Sequence, residues 1–463
     1  MANPPAEHRD SAPIRRDPDQ VEALPASGRF FYGWYIVACG WLFLLLGYGI
    51  LLYAPLILFD SWNENFGWSR GILSGAYSVA LLTVAIVSPF AGKLTDSHGA
   101  RPVMFAGAIV LGAGTLGLRW ISEPWHLYLA FVISALGFAF AVVVPVNALI
   151  ARWFERRRGI AMGITYTGLG AGGVVVTPLV SIFISLVGWE TTTTILALAV
   201  LGLLIPLSLL VVRSDPYVMG LRPDGRPDQS TSTLSDRAGG RPRHSTPLAG
   251  VSLAQAARTA RFWILGALLF VALGSSFGTF SQTLPFLDDL GYSSSIGTIL
   301  ISINGAVVIA SKFFFGYLSD RVPAKTILMF ATLGAVAAPL LMLSVSTWGA
   351  PRWLALGIPL ILGTAATAFT ILVPIVSASA FGLRHIGAIS GALGSFAMLG
   401  MAAGPAVIGG LFVVTGSYTV PASIFTGCMV VVIVMLARGP SLGHRRVSAT
   451  LKGDLATVQR TDA

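Results

Sequence analysis

Apolar residues in this chain do not recur with the spacing of one helix face or one sheet face. They run on in blocks of about 20 or more, with polar positions gathered between the blocks. A helix rising 1.5 Å per residue needs a run of that length to cross the roughly 30 Å hydrocarbon layer of a bilayer. Twelve spans are expected, over residues 30–53, 69–93, 102–120, 126–151, 159–187, 192–212, 261–286, 295–318, 324–346, 352–380, 387–415 and 418–437. The expected fold class is therefore an all-α membrane protein with 12 transmembrane helices. Residues 1–29 are rich in Pro, Asp and Arg and read as a polar, disordered tail, not a signal peptide; the first apolar run is also too long for a cleaved leader. Residues 213–259 read as a flexible linker, with a short surface helix expected over 252–258, and residues 438–463 as a second polar tail.

Composition agrees with this pattern and narrows it. Of 463 residues, 54% are hydrophobic and only 11% charged, too apolar for a soluble globular protein. The net charge of +10 has a topological explanation. With both termini in the cytoplasm, 26 of the 30 Lys and Arg fall on the cytoplasmic side, while Arg70, Arg119 and Arg352 fall outside. No nucleic-acid partner is then implied; the partner is the lipid bilayer of the cell's inner (plasma) membrane. Cys39 and Cys428 both lie within spans, so neither a disulfide nor a metal site is indicated, and no cofactor is expected.

The chain also repeats itself. Gly92-Lys93-Leu94-Thr95-Asp96-Ser97-His98-Gly99-Ala100-Arg101 aligns with Gly316-Tyr317-Leu318-Ser319-Asp320-Arg321-Val322-Pro323-Ala324-Lys325 at an offset of 224. Gly67-Trp68-Ser69 pairs with Gly291-Tyr292-Ser293 at the same offset, and Gly159 and Gly163 pair with Gly387 and Gly391 at 228. Two halves of six spans, 30–212 and 260–437, account for all of these.

One side chain breaks the apolar rule. Lys312 lies inside the eighth span, eight residues before Asp320, so its Cα sits roughly 12 Å within the charged boundary. A cation at that depth costs about 2.5–3.5 kcal/mol by insertion scales and should face a wet or paired interior. The acidic residues fall in loops and tails, including Asp60, Glu64, Glu123, Glu190, Asp288 and Asp289 on the outer side, and no carboxylate is available within a span to neutralise Lys312. The bland alternative is a lysine that snorkels to the interface, but 12 Å is far for its stem.

The motif Gly-x-Leu-x-Asp-x-x-Gly-x-Arg at 92–101, its weaker second copy, the 6+6 repeat and the long central loop together resemble the major facilitator superfamily, over residues 30–437. Three further segments narrow the resemblance: Phe31-Tyr32-Gly33-Trp34, Phe66-Gly67-Trp68-Ser69-Arg70 and the run from Arg152 to Gly163. They are similar to the monocarboxylate porter and oxalate/formate antiporter group. That resemblance implies a cation in the eighth span, usually arginine, that binds the substrate carboxylate; Lys312 holds that place. Two departures stand against it. Residues 387–415 lack the second buried cation of oxalate carriers, and Val308 occupies the place of the aspartate one turn before the cation in eukaryotic monocarboxylate porters.

A carboxylate substrate needs a cation in low dielectric, polar groups to orient it and walls for its tail. Lys312 supplies the cation as a point charge with three donors. Asn304 lies two turns earlier, and the resemblance makes the first, fourth, seventh and tenth spans line the cavity, which selects Tyr48, Asn147, Ser276, Thr279 and Thr367. A wider polar set includes Tyr35, Tyr53, Tyr77, Tyr166, Ser275, Thr364 and Thr370, each of which can equally be an interhelical hydrogen bond. A second group reads as a gate: Gly92, Asp96 and Arg101, with Asp320, Arg321 and Lys325 as the weaker set. There a carboxylate faces cations and a helix N-terminus in only one of two states; the plain alternative is a solvated loop that only sets topology. The expected activity is secondary transport of a small organic monocarboxylate anion by a monomer, coupled to a proton or to exchange. Multidrug or hydrophobic-compound efflux is the alternative in the same fold, and a transporter-like membrane sensor the alternative of another class. No His, Cys and carboxylate cluster suggests an enzyme.

Overall fold

The computed structural model describes residues 31–225, 250–348 and 350–438. The expected N-terminal tail through residue 30, the linker over 226–249 and the C-terminal tail from 439 lie outside the described residues. Among the described residues, ten helical stretches are long and apolar enough to span a membrane. The longest of them, Arg158–Leu210, divides at Gly188 (φ 79°, ψ 164°), and Ser294–Ser319 adds one more, which gives the twelve. In chain order they are α1 (Gly33–Phe66), α2 (Arg70–His98), α3 (Ala100–Gly117), α4 (Pro124–Trp153), α5 (158–187) and α6 (189–210) in one half. The other half holds α7 (Ala260–Asp289), α8 (Ser294–Ser319), α9 (Ala324–Thr347), α10 (Ile358–Phe381), α11 (Ile386–Thr415) and α12 (Thr419–Arg438). The short helix forms as Leu253–Ala257, with Ser252 and Gln255 making a reciprocal cap.

The expected boundaries hold to within a few residues, with one exception. The first span does not end at 53 but runs through a π-turn, Gly49–Tyr53, to Phe66. Asp60 and Glu64 therefore ride on the exposed end of α1 and not in a loop. Helix α4 breaks at Val142 (φ −103°, ψ −91°) because Pro145, three residues on, has no N–H and its ring crowds the carbonyl of Ala141.

Glycine pairs determine where the halves meet. Gly92 of α2 faces the backbone of Gly387 at the start of α11, and Gly391 packs on the carbonyl of Ser88. At the second crossing between the halves, Gly316 of α8 lies against Gly159 and Gly163 of α5. These are the residues related by the 224 and 228 offsets, so the repeat in sequence is two copies of one helix crossing. Within the second half, Gly400 and Gly404 of α11 meet the carbonyls of Phe270 and Gly274 of α7, so the glycine-rich stretch serves close packing.

Candidate functional site

Lys312 is among the most deeply buried large side chains of the molecule, 1% exposed. It gets there because Gly163 and Gly316 carry no side chain: a Cβ on Gly163 would stand 2.6 Å from the Lys312 carbonyl oxygen, so α5 and α8 touch backbone to backbone. The ammonium donates to the main-chain carbonyl of Tyr166, across from one half to the other. No carboxylate lies within ion-pairing distance of it among the described residues; Asp96 is paired instead with Arg152. One of three ammonium donors is thereby used in a site of low dielectric.

Tyr166 then extends the contact. Its hydroxyl donates to Asn147 Oδ1 of α4 at 3.0 Å, linking α8, α5 and α4 through Lys312, Tyr166 and Asn147. On the next residue of α5, Thr167 Oγ1 accepts from Trp41 Nε1 of α1 at 3.0 Å. Tyr48 of α1 is buried with its ring edge-on to Phe138 of α4, centroids 5.1 Å apart. The remaining candidates stand elsewhere. Asn304 packs against Gly363 of α10 with its Oδ1 buried and unpartnered, and Thr367, one turn on, donates to the Gly363 carbonyl. Ser276 and Thr279 are buried on α7, flanking Gly278, which abuts Gly404 of α11; the Ser276 hydroxyl has no partner. The seven residues thus fall into three groups, one around Lys312, one at the α8–α10 contact and one on α7.

The carboxylates at the loops are held by backbone. Asp96 accepts from the N–H groups of Gly387 at 2.9 Å and Ala388 at 2.8 Å, with Arg152 Nη2 at 3.6 Å. Asp320 accepts from Gly159 at 2.6 Å and Ile160 at 3.0 Å. Each carboxylate therefore caps the positive N-terminus of a helix in the opposite half: α11 for Asp96, α5 for Asp320. Burial pushes the Asp320 carboxyl above its ordinary value of 3.8, against the lowering by the Ile160 and Gly159 N–H groups; the Asp224 charge raises it further and Arg158 lowers it.

The expected cations are not where the motif spacing put them. Arg101 reaches back within its own half, its guanidinium to the Leu209 carbonyl and its N–H to Ser214 Oγ. The cation beside Asp96 is Arg152, on α4. Arg321 lies over the Tyr317 ring, 4.0 Å from its centroid, and Lys325 donates to the Ala437 carbonyl at 3.2 Å. Both oxygens of Asp320 accept from main-chain donors, Oδ1 from Gly159 and Oδ2 from Ile160.

Two six-helix halves, joined by mirrored helix caps with a buried cation between them, define a helical membrane transporter. The Major Facilitator Superfamily model matches residues 36–405, and the chain belongs to that superfamily. An "MFS-type transporter" of Gibberella moniliformis is 25% identical over 438 residues, covering 93% of this chain and 95% of that protein. The "Multidrug resistance protein MdtH" of Aeromonas hydrophila is 30% identical over 117 residues, 25% of this chain and 28% of its own length. Among solved structures the fold is similar to the proton:xylose symporter XylE (TM-score 0.66, 16% identity, 89% of this chain and 97% of that one). It is similar also to the human organic anion transporter MFSD10 (TM-score 0.63, 17% identity, 87% and 99%).

Proposed function

We propose that this transporter carries a small organic monocarboxylate by alternating access, with Lys312 as the group that meets the carboxylate. The observation that carries the proposal is a fully buried ammonium whose recorded partner is a main-chain carbonyl of the opposite half. An uncompensated cation is costly at that depth, and an anion offsets the cost only while bound, which makes occupancy and helix contact interdependent. Asn147 and Tyr48 are the orienting groups nearest this charge in the reading; Asn304, Ser276, Thr279 and Thr367 have the weaker case. The Asp96 and Asp320 caps act as the gate, made in one state and broken in the other. With the basic loops in the cytoplasm, as the charge distribution supports, the inner membrane is the location and the closed end faces inward. Coupling is to a proton or to anion exchange.

A second reading, export of multidrug or hydrophobic compounds, has the local similarity to MdtH in its favour. Against it stands the lack, among the described residues, of a buried carboxylate beside Lys312. The test is uptake of labelled lactate, pyruvate, acetate, formate and oxalate into proteoliposomes, with and without a pH gradient, for the native chain and for Lys312→Ala. Accumulation of a monocarboxylate, lost by at least a hundredfold in the variant, is expected. Unchanged transport by Lys312→Ala, or no acid carried at all, sinks the reading and favours export.

A further inference from the structure

The described start of the linker holds a residue that the gate contacts do not account for. Asp224 is, among the described residues, the one non-glycine with positive φ (61°), a left-handed conformation that few side chains adopt and that Asp and Asn adopt more readily than most. What holds it is its carboxylate. Asp224 Oδ2 accepts from the N–H of Arg156 at 2.7 Å and Glu155 at 3.2 Å, and Oδ1 from Arg157 at 3.3 Å. Arg157 is the N-cap of α5, and two N–H groups of its first turn, those of Gly159 and Ile160, are the ones that Asp320 takes from the other half. Two carboxylates therefore divide the start of one helix between them, one from its own half and one from across the interface.

The segment that carries Asp224 is itself fastened. Trp153 Nε1 donates to the Arg213 carbonyl at 2.8 Å, Ser214 Oγ accepts from Arg101, and Asp215 caps the Pro216–Met219 turn through Tyr217 N–H at 3.0 Å. At the far end of the linker, Val251 N–H donates to the Phe381 carbonyl at 3.0 Å and Gly250 bridges to Gly382, just before α11. Both helices that receive a gate carboxylate thus have an end of the linker bound at their start.

We infer that Asp224 is a positioning residue for the gate: by fixing the 155–157 turn it presents the Gly159 and Ile160 N–H groups to Asp320. This rests on the gate reading above. The contact with the turn lies within one half and persists in both states, so it acts only through how well Asp320 docks. If Asp224 merely capped a loop, its loss would weaken the fold without regard to Asp320.

The test reads the gap at the basic end in the full-length protein reconstituted in nanodiscs. Spin labels are placed at the exposed positions Ser97 and Arg384, with Cys39 and Cys428 replaced, and the distance distribution is measured by double electron–electron resonance. Asp224→Ala is expected to raise the ratio of open to closed populations roughly two- to thirtyfold, the range set by loss of a helix cap. Asp224→Asn, which keeps one acceptor, shifts it less, and serves where the alanine variant fails to insert. In an Asp320→Ala background, which leaves no acceptor for the Gly159 and Ile160 N–H groups, the effect of Asp224→Ala disappears, because the contact it serves is already gone. Multiplicative effects in the double variant, or an unmoved ratio in Asp224→Ala where Asp320→Ala shifts it, overturn the inference. An unmoved ratio in Asp320→Ala removes the gate reading, and this inference with it.

Discussion

Gly387→Ala is the sharpest test of the α2–α11 contact. A Cβ there would stand 2.5 Å from the Gly92 carbonyl oxygen and 2.9 Å from Asp96 Oδ1. The first of these is main chain, so no rotamer change relieves the overlap. The start of α11 has to retreat by about 0.9 Å to restore ordinary contact near 3.4 Å. Asp96 now receives the Gly387 and Ala388 N–H groups at 2.9 and 2.8 Å, and the same retreat stretches both past about 3.6 Å, beyond hydrogen-bond length. Hydrogen bonds to a charged acceptor are worth about 1.5–3 kcal/mol each. Losing the pair therefore removes roughly 3 kcal/mol from the closed form, about two decades in the closed-to-open ratio. Helix propensity acts the other way, since alanine favours helix over glycine by about 1 kcal/mol in both states. Thermal stability should accordingly fall by no more than the difference of the two terms, about 2 kcal/mol, while the gate opens. The Ser97–Arg384 spin-label distance reads the gate, and a fluorescence melting curve reads the fold. A melting temperature that falls along with an unchanged distance distribution would refute the reasoning, because it would place the cost in the helix and not in the contact.

Gly163→Ala should act on the proposed substrate site: the added methyl meets the Lys312 carbonyl oxygen at 2.6 Å, moves α8 off α5 and withdraws the ammonium from Tyr166. Uptake of the carried acid at subsaturating concentration should fall about tenfold, the equivalent of one weakened charge-assisted bond, and normal uptake would show that Lys312 does not need its carbonyl partner. Acidification should tighten the gate and not loosen it. Burial raises the Asp320 carboxyl above 3.8 in the closed form, and exposure to water on opening returns it there, so the closed form binds the proton more strongly and gains as pH falls through that window. The closed population measured with the same labels should rise between pH 7 and pH 4.5, and that part of the dependence should vanish in Asp320→Asn; a closed population that falls would reverse the sign argued here.

How much of this was legible beforehand depends on what kind of group carries each feature. The spans could be read because lipid requires unbroken apolar runs. The two interface crossings could be read as paired offsets because glycines and aspartates are side-chain types that recur. The end of α1 was lost because Asp60, Asn63 and Glu64 look like a loop, whereas a helix end standing clear of the apolar core tolerates them. Arg152 was passed over for Arg101 because spacing shows which loop is basic, not which cation packs near a given carboxylate. Tyr166 appeared only within a broad polar set, since what it gives Lys312 is a main-chain carbonyl, and every residue has one.

The same repeat supplies the best argument that the lysine is not there for packing. At the 224 offset, Lys312 corresponds to Ser88. Gly391 packs on the Ser88 carbonyl as Gly163 packs on that of Lys312, and the Ser88 hydroxyl closes on Val84 of its own helix at 2.7 Å. The α2–α11 crossing is thus built with the same glycines and no charge. A helix contact that forms equally well around serine does not require an ammonium, which accords with the proposed role of Lys312 in meeting an anion at the α5–α8 crossing. Lys312→Ser, which copies the other half, should therefore leave the fold and the α5–α8 contact in place and remove transport alone.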